Sequence, residues 1–168
     1  MPDGCHMFTI EDYPEARFNF FIKLIDMLKV ADILKNKGME VYSITGTISV
    51  FDALKIMGEK NIGALPVIEN NELKGIFSER DYARKIVLQN RRSRETQVKE
   101  IMTEKVVTVS PGDTIDHCME TMSAGKFRHL PVLDNERMVG IISIGDVVTA
   151  VIQSQKDTIS HLQNYISQ

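Results

Sequence analysis

Apolar residues along the chain recur at helical spacing in some segments and form short continuous runs in others, and this succession occurs twice. Each helical segment is followed by an apolar run, at 62–68 and at 127–133, that is typical of a strand. Pro66 and Pro131 inside these runs place them at strand ends or at a sheet edge. The apolar positions of the two predicted helices are Val50, Ala53, Leu54 and Met57 in the first copy and Ile115, Cys118, Met119 and Met122 in the second.

A polar turn follows each apolar run, at 69–72 and at 134–137, and predicts a hairpin. A second strand then leads into a closing helix. Short β-prone pieces at 41–44 and 106–109 precede the first helices, so each copy has the order β-α-β-β-α.

The segment Gly-Ile-Phe-Ser-Glu-Arg-Asp at 75–81 returns as Gly-Ile-Ile-Ser-Ile-Gly-Asp at 140–146, at an offset of 65 residues. The Leu-Pro-Val tripeptide at 65–67 returns at 130–132 with the same offset. A shared offset over many positions indicates an internal repeat. Residues 30–34 match 98–102 at an offset of 68, so the first copy carries about three extra residues near Gly38.

The repeat predicts an α+β fold in which two β-α-β-β-α copies pack sheet to sheet across a pseudo-two-fold axis. Each copy alone is too short for a comfortable core, which favours one pseudo-symmetric unit. We divide the chain into an extension (1–29), the first repeat (30–90), a linker (91–97), the second repeat (98–157) and a C-terminal helical tail (158–168). The linker, with Arg91, Arg92 and Arg94, is predicted to be solvated.

The extension contains a predicted amphipathic helix over 18–28, which would cover a core edge or a dimer seam. Its Lys23 and Asp26 give no basic face for a membrane surface. A natural translation start at Met27, with the preceding residues outside the natural protein, is the alternative.

Composition narrows the class of protein. Of the 168 residues, 43% are apolar and 26% are charged, with a net charge of −3, which argues against a basic nucleic-acid-binding surface. No apolar run approaches the roughly 20 residues that a membrane-spanning helix needs. Cys5 and Cys118 have no redox or metal spacing, and His117 and His129 form no ligand cluster with Cys118. We therefore expect a cytoplasmic protein without a metal site, and a buried structural thiol at Cys118.

The repeated Ser-x-x-Asp places a hydroxyl group and a carboxylate at the start of each closing helix. Ser and Asp at this spacing resemble a capping box. The free N–H groups at a helix start and the Ser hydroxyl can bind an anion, and a carboxylate can accept from two vicinal hydroxyls. Ser78 with Asp81, and Ser143 with Asp146, are therefore either plain helix caps or the phosphate and ribose contacts of a nucleotide.

The Leu-Pro-Val run, the acidic-Asn turn and Gly-Ile-x-Ser-x-x-Asp resemble the CBS domain, and the duplication resembles a tandem CBS pair over roughly residues 30–155. The resemblance implies two adenosyl-nucleotide sites. The ribose and phosphate contacts would be Ser78, Arg80, Asp81, Arg128 and His129 at the first site, and Ser143 and Asp146 at the second. The adenine contacts would be Ile48, Ile62, Gly63 and Ile76 at the first, and Asp113, Phe127, Arg128 and Ile141 at the second.

The two sites are not equivalent. Gly145 stands where the first copy has Arg80, and Gly63-Ala64 stands where the second copy has Arg128-His129. Because basic residues before Leu-Pro-Val often reach the opposite site in this family, we expect tighter phosphate binding at Asp81. The second site would be weak, empty or suited to a less charged ligand.

The resemblance implies a non-catalytic regulatory module that binds AMP, ADP, ATP or NAD(H), forms a homodimer and signals to a protein partner, without nucleic acid, membrane or catalytic cofactor. Two other hypotheses stay open. One is a protein-interaction module with vestigial nucleotide sites. The other is a nucleotide-processing enzyme, although the chain has no phosphate loop and no nucleophile elbow.

Overall fold

The structure is a computed structural model that describes residues 28–38 and 40–166. The predicted helix over 18–28 therefore lies, except for Leu28, outside the described residues. The order of elements is α1 Val30–Lys37, α2 Val50–Lys60, β1 Ala64–Glu69, β2 Glu72–Ser78, α3 Glu79–Tyr82 continued by a π-helical turn Ala83–Val87, a 3₁₀ turn Val98–Glu100, α4 Ile115–Gly125, β3 His129–Asp134, β4 Arg137–Ser143 and α5 Ile144–Ile166. The α+β class and the two copies are confirmed.

Each repeat contains one antiparallel hairpin, β1–β2 or β3–β4, closed by a two-residue turn. Both turn residues have positive φ, 52° and 64° at Asn70 and Asn71, and 47° and 64° at Asn135 and Glu136. This conformation matches the right-handed twist of the strands and is tolerated by Asn more readily than by most residues. The hairpins predicted from the sequence are present in both repeats.

The predicted first strand of each repeat is reduced to a single parallel bridge, Ile44 to Val67 and Val109 to Val132. In the first repeat, Ile44 N–H donates to the Pro66 carbonyl at 3.0 Å and Ile68 N–H donates to the Ile44 carbonyl at 2.9 Å. The next bridge toward the N-terminus would need an N–H from Pro66, which proline lacks. Pro131 interrupts the second repeat at the same position, so both strands stop after one bridge.

The first helical element of each repeat completes the core of the other repeat. Helix α1 packs its buried Val30, Ile33 and Leu34 into the cluster around α4, β3 and β4. The segment from Val98 to Ile101 packs into the cluster around α2, β1 and β2. The hydrophobic cores therefore cross the boundaries between the sequence repeats.

Helix α1 and the segment that begins at Val98 each pack into the core of the other repeat, and we call them the exchanged segments. Backbone hydrogen bonds hold both in place. Val30 N–H donates to the Asp113 carbonyl and Ile115 N–H to the Leu28 carbonyl, both at 3.0 Å. In the other half, Val98 N–H donates to the Ile48 carbonyl at 3.0 Å. The two exchanged segments are thus fixed by backbone as well as by burial.

The repeated glycine of the motif allows this exchange. A Cβ on Gly140 would lie 2.5 Å from Leu34 Cδ2, and a Cβ on Gly75 would lie 2.6 Å from Met102 Sδ. Leu34 and Met102 occupy corresponding positions of the two exchanged segments. A side chain at either glycine would occupy the space that the neighbouring segment fills.

The linker is anchored to the start of α2, which its charged sequence did not indicate. Val50 N–H donates to the Thr96 carbonyl at 2.9 Å and Phe51 N–H to the Ser93 carbonyl at 3.0 Å. The Arg94 guanidinium lies 3.7 Å from the centroid of the Phe51 ring. The linker carbonyls therefore satisfy N–H groups that a helix start leaves free.

We expect Gly75→Ala to lower the free energy of unfolding by about 1–3 kcal/mol, because the new methyl group overpacks the exchanged segment. The added Cβ would also lie 3.0 Å from the Thr103 carbonyl oxygen, which belongs to backbone and cannot rotate away. Gly58→Ala in α2 is the control, since a Cβ there meets nothing within 4 Å. Urea unfolding compares the two variants. An equal, small effect of both would contradict the packing role of Gly75.

Candidate functional site

A cleft of about 400 Å³ opens where the first motif meets the second repeat, and we call it the first cleft. Its volume falls within the range of roughly 300–1,000 Å³ that small-molecule sites occupy. It is lined by Gly63, Ile76, Ser78, Glu79, Arg80, Asp81, Arg84, Lys85, Thr103, Lys105, Val106, Val107, Gly125, Lys126, Phe127, Arg128 and His129. The residues predicted to contact ribose and phosphate at the first site all lie on this lining.

Asp81 caps α3 with one carboxylate oxygen and has further partners at the other. Its Oδ2 accepts from Ser78 N–H at 3.1 Å and from the Ser78 hydroxyl at 2.6 Å, while Ser78 Oγ accepts from Asp81 N–H at 3.3 Å. Its Oδ1 accepts from Lys85 Nζ at 2.8 Å and from the Thr103 hydroxyl at 3.3 Å. The capping hypothesis therefore accounts for Oδ2, while Oδ1 is held by two side chains that also line the first cleft.

The second motif has the same cap with a different additional partner. Asp146 Oδ2 accepts from Ser143 N–H at 2.7 Å and from the Ser143 hydroxyl at 2.8 Å. Lys37 Nζ, at the end of α1, donates to the same Oδ2 at 2.6 Å. Burial opposes ionisation of Asp146, but the Lys37 ammonium and the Ser143 donors outweigh it and hold the pKa of the carboxyl below its ordinary value.

Positive charge is concentrated at the first cleft. Six of its lining side chains are permanently or ordinarily cationic: Arg80, Arg84, Lys85, Lys105, Lys126 and Arg128. Glu79 and Asp81 are the acidic residues of the lining. At the offset of 65, the cationic residue within the first motif, Arg80, and the two that follow it, Arg84 and Lys85, correspond to Gly145, Thr149 and Ala150. The first cleft is therefore suited to an anion.

Four of these cationic residues were not predicted. Arg84 and Lys85 lie one helical turn after the motif, and the comparison with Thr149 and Ala150 could have identified them from the sequence. Lys105 and Lys126 belong to the second repeat and reach the cleft only through the fold. Arg80 donates to the Lys126 carbonyl, which ties the two repeats together at the rim.

The predicted adenine contacts of the first site are only partly brought together. Gly63 and Ile76 line the first cleft. Ile48 and Ile62 instead pack against the core of the first repeat, and the Ile48 carbonyl is used by the exchanged Val98. Because the exchanged segment binds the Ile48 backbone, Ile48 packs against the core and does not line the cleft.

Phe127, predicted for the second site, lines the first cleft together with Val106 and Val107. Lys126 ends α4 in the left-handed region with φ 53°, which turns the chain sharply there. A Cβ on Gly125 would lie 1.8 Å from Phe127 Cε1, so the glycine leaves room for the ring. The local turn therefore directs this aromatic side chain toward the first cleft.

Asp113 and Ile141, which were also predicted to contact adenine at the second site, form hydrogen bonds with other residues of the chain. The Asp113 carboxylate accepts from Ser110 N–H at 2.7 Å, and its carbonyl accepts from Val30 N–H at 3.0 Å. The Ile141 carbonyl accepts from Lys37 Nζ at 3.2 Å. Arg128, predicted for both sites, lies on the lining of the first.

His129 lies between the two motifs, at the start of β3. A Cβ on Gly63 would lie 3.3 Å from its Cε1, so its ring reaches across to the first repeat. Burial lowers the pKa of His129 most, and the Lys37 and Arg128 cations lower it further, while Asp146 opposes them. The imidazole is therefore neutral at neutral pH.

Cys118 is fully buried in the core around α4, as predicted for a structural thiol. Burial raises the pKa of this thiol to about 11, which disfavours the reactive thiolate. Within residues 28–38 and 40–166, no three His, Cys, Asp or Glu side chains converge on a possible metal position. The helices in this same part of the chain include none that is both long and apolar enough to span a bilayer.

Comparison with known proteins identifies the family. The CBS domain model matches residues 24–88 and 98–153, and the chain belongs to the CBS-domain family. Among curated proteins, the mitochondrial CBS domain-containing protein CBSX3 of Arabidopsis thaliana is 40% identical over 146 residues, covering 82% of this chain and 71% of that protein.

Solved structures of CBS-domain proteins have the same fold. A CBS-domain protein of Burkholderia ambifaria is 50% identical, with a TM-score of 0.73 over 76% of this chain and 96% of that one. The CBS domain pair of MJ0100, solved in complex with 5′-methylthioadenosine and S-adenosyl-L-methionine, is 31% identical, with a TM-score of 0.65 over 73% and 94% of the two chains. The resemblance to a tandem CBS pair that the sequence indicated is therefore confirmed.

We expect the stability advantage of wild type over His129→Gln to grow as pH rises from about 5 to about 7. The pKa of His129 is lowered in the folded protein, so the unfolded chain binds the proton more tightly in this range. Stability is therefore lost as pH falls below the ordinary histidine pKa of about 6.5. Urea unfolding at several pH values measures this difference, and a difference independent of pH would contradict the shift.

Proposed function

We propose that the protein is a regulatory module that binds an adenosyl nucleotide in the first cleft. The observation that carries the proposal is the Asp81 carboxylate of the motif, set in a single cleft with six cationic side chains and one further acidic residue, Glu79. A carboxylate can accept from the two hydroxyls of a ribose, and clustered cations can pair with phosphate. The complex of the MJ0100 domain pair supports adenosyl ligands for a relative of this chain.

In this proposal, Asp81 exchanges the Lys85 and Thr103 donors at Oδ1 for ribose hydroxyls, while its Oδ2 continues to cap α3. Ser78 contributes its hydroxyl to the same end of the ligand. Arg80, Arg128 and His129 bind the phosphates, assisted by Arg84, Lys105 and Lys126. The adenine packs between Phe127 and the apolar lining, since aromatic faces favour stacking with a base.

The charge of the cleft favours AMP, ADP, ATP or NAD(H) over S-adenosylmethionine. A sulfonium cation would meet six cationic side chains, whereas each added phosphate gains an opposite charge. We therefore propose a phosphate-bearing ligand here, in contrast to the sulfonium compound bound by the MJ0100 pair.

Ligand occupancy would be transmitted because both repeats line the cleft. A ligand that contacts Asp81 in the first repeat and Arg128 in the second favours the relative position of the repeats that satisfies both contacts. A protein partner that reads this position would receive the signal. The cytoplasmic location stays a prediction.

Self-association is proposed through an exposed apolar stripe on α5. Its members are Ile144, Val148, Ile152 and Ile159, and these residues are 37%, 48%, 47% and 55% exposed. These positions recur at helical spacing on one side of the helix. An exposed stripe of this kind is typical of a protein–protein contact, and a second copy of the chain is the occupant that we propose.

Two rival functions remain testable. An interaction module with vestigial sites would bind no adenine nucleotide, yet the Ser-Asp caps are intact in both copies. An enzyme would convert its ligand, so a bound nucleotide recovered unchanged by mass spectrometry argues against turnover. We propose a non-catalytic role.

We expect Asp81→Asn to weaken ADP binding by roughly tenfold or more, the effect of losing a charge-assisted hydrogen bond. Asn keeps an acceptor for the Ser78 N–H, so the cap of α3 is preserved. Asp146→Asn is the matched control and should leave ADP binding nearly unchanged. Isothermal titration calorimetry measures both variants. A greater loss in Asp146→Asn would contradict the assignment, and absence of binding to wild type would favour the interaction module.

We expect Val148→Glu to convert a dimer into a monomer, because a charge buried in an apolar contact without a partner is strongly unfavourable. Thr149→Glu, at an exposed position beside the stripe, is the control and should remain dimeric. Sedimentation velocity distinguishes the two states. A Val148→Glu protein that sediments like wild type would rule out this face.

A further inference from the structure

The second motif already has an occupant from its own chain. Lys37 Nζ lies 2.6 Å from Asp146 Oδ2 and 3.2 Å from the Ile141 carbonyl oxygen. A carboxylate and a neighbouring strand carbonyl are the two acceptors that the hydroxyl of a ribose and the amino group of a base would need. One ammonium group satisfies both.

The first motif also pairs its carboxylate with a lysine, since Lys85 Nζ lies 2.8 Å from Asp81 Oδ1, but it differs at the strand carbonyl. The Ile76 carbonyl, which corresponds to that of Ile141, accepts from Thr103 N–H at 2.9 Å. Thr103 belongs to backbone that pairs with β2, and its own carbonyl accepts from Ile76 N–H at 3.0 Å. Backbone therefore occupies the Ile76 carbonyl, whereas a side-chain ammonium occupies the Ile141 carbonyl.

A difference in helix length explains this contrast. Helix α1 runs for 8 residues to Lys37, whereas its counterpart in the second repeat is a 3₁₀ turn of 3 residues, Val98–Glu100. The offset between repeats falls from 68 before Gly38 to 65 after it, so the first repeat has three additional residues at this point. The longer helix carries Lys37 to the second motif.

We propose that Lys37 is a tethered counter-ion that closes the second site to nucleosides, so that the protein binds one nucleotide per chain at the first cleft. The proposal rests on the nucleotide-binding role proposed above for the Ser-x-x-Asp motif. Lys37 and Asp146 have side-chain exposures of 39% and 22%, so the ion pair lies at the surface, where a competing ligand can reach it. The ammonium bonds to the capping oxygen Oδ2 and to the Ile141 carbonyl, so a ligand that contacts both Asp146 and this carbonyl has to displace it.

The chemistry of the released site differs from that of the first cleft. The positions that correspond to Arg80, Arg84 and Lys85 are Gly145, Thr149 and Ala150, which carry no charge. Without Lys37, the Asp146 carboxylate remains as an acceptor for hydroxyls and little attracts a phosphate. The released site therefore fits an uncharged nucleoside, with adenosine and 5′-methylthioadenosine as the probes.

Lys37→Gln tests the proposal by removing the charge while keeping a polar side chain. Calorimetric titration with adenosine should detect binding to Lys37→Gln that is roughly tenfold or more tighter than to wild type. Adding Asp146→Asn to Lys37→Gln should abolish this binding. Lys35→Gln, at an exposed position on the same helix, is the control and should behave as wild type does.

A readout without ligand accompanies the titration. The pKa of the Asp146 carboxyl, followed by NMR, should rise in Lys37→Gln because the ammonium that lowers it is absent. Lys37→Met, which keeps the aliphatic stem, provides a second variant if the first folds poorly.

Three outcomes would overturn the proposal: no gain of nucleoside binding in either variant, a gain that survives Asp146→Asn, or wild type binding adenosine at Asp146 as tightly as Lys37→Gln. These outcomes can be told apart from failure of the proposed function. That function is tested separately, by ADP binding to wild type and to Asp81→Asn. A gain that depends on Asp146 supports the tethered counter-ion.

Discussion

The exchange of helical segments between the repeats is the constraint on which the rest of the structure depends. Leu34 fills the space above Gly140, and Met102 fills the corresponding space above Gly75. Because each core includes a segment from the other repeat, the two hairpins are held in one fixed relation. Cooperative burial of this kind lets repeats of modest size share enough apolar surface to remain folded.

The same exchange determines what reaches each motif. The chain that leaves the exchanged segment of the second repeat brings Thr103 to Asp81 and Lys105 to the first cleft, whereas α1 brings Lys37 to Asp146. Two motifs with the same cap therefore have different electrostatic surroundings. The difference arises from the segments that cross between the repeats and from the residues that follow each motif.

The sequence predicted the features that depend on local patterns. The hairpins follow from turn residues such as Asn70 that accept positive φ, and the caps follow from Ser and Asp at the required spacing. It did not predict Lys126 or the orientation of Phe127, because both depend on how α4 ends and on which surface that end faces. The surroundings of Ile48 and the anchored linker also depend on tertiary contacts that a periodic pattern does not contain.

Pro131 also affects the local stability of one wall of the first cleft. It limits the segment that carries Val106 and Val107 to a single bridge at Val109. Backbone with few hydrogen bonds to its neighbours opens at a lower free-energy cost than a paired hairpin, and its amides exchange with solvent sooner. The cleft thus combines a stiff wall, formed by the hairpin end at His129, with a compliant wall formed by the two valines.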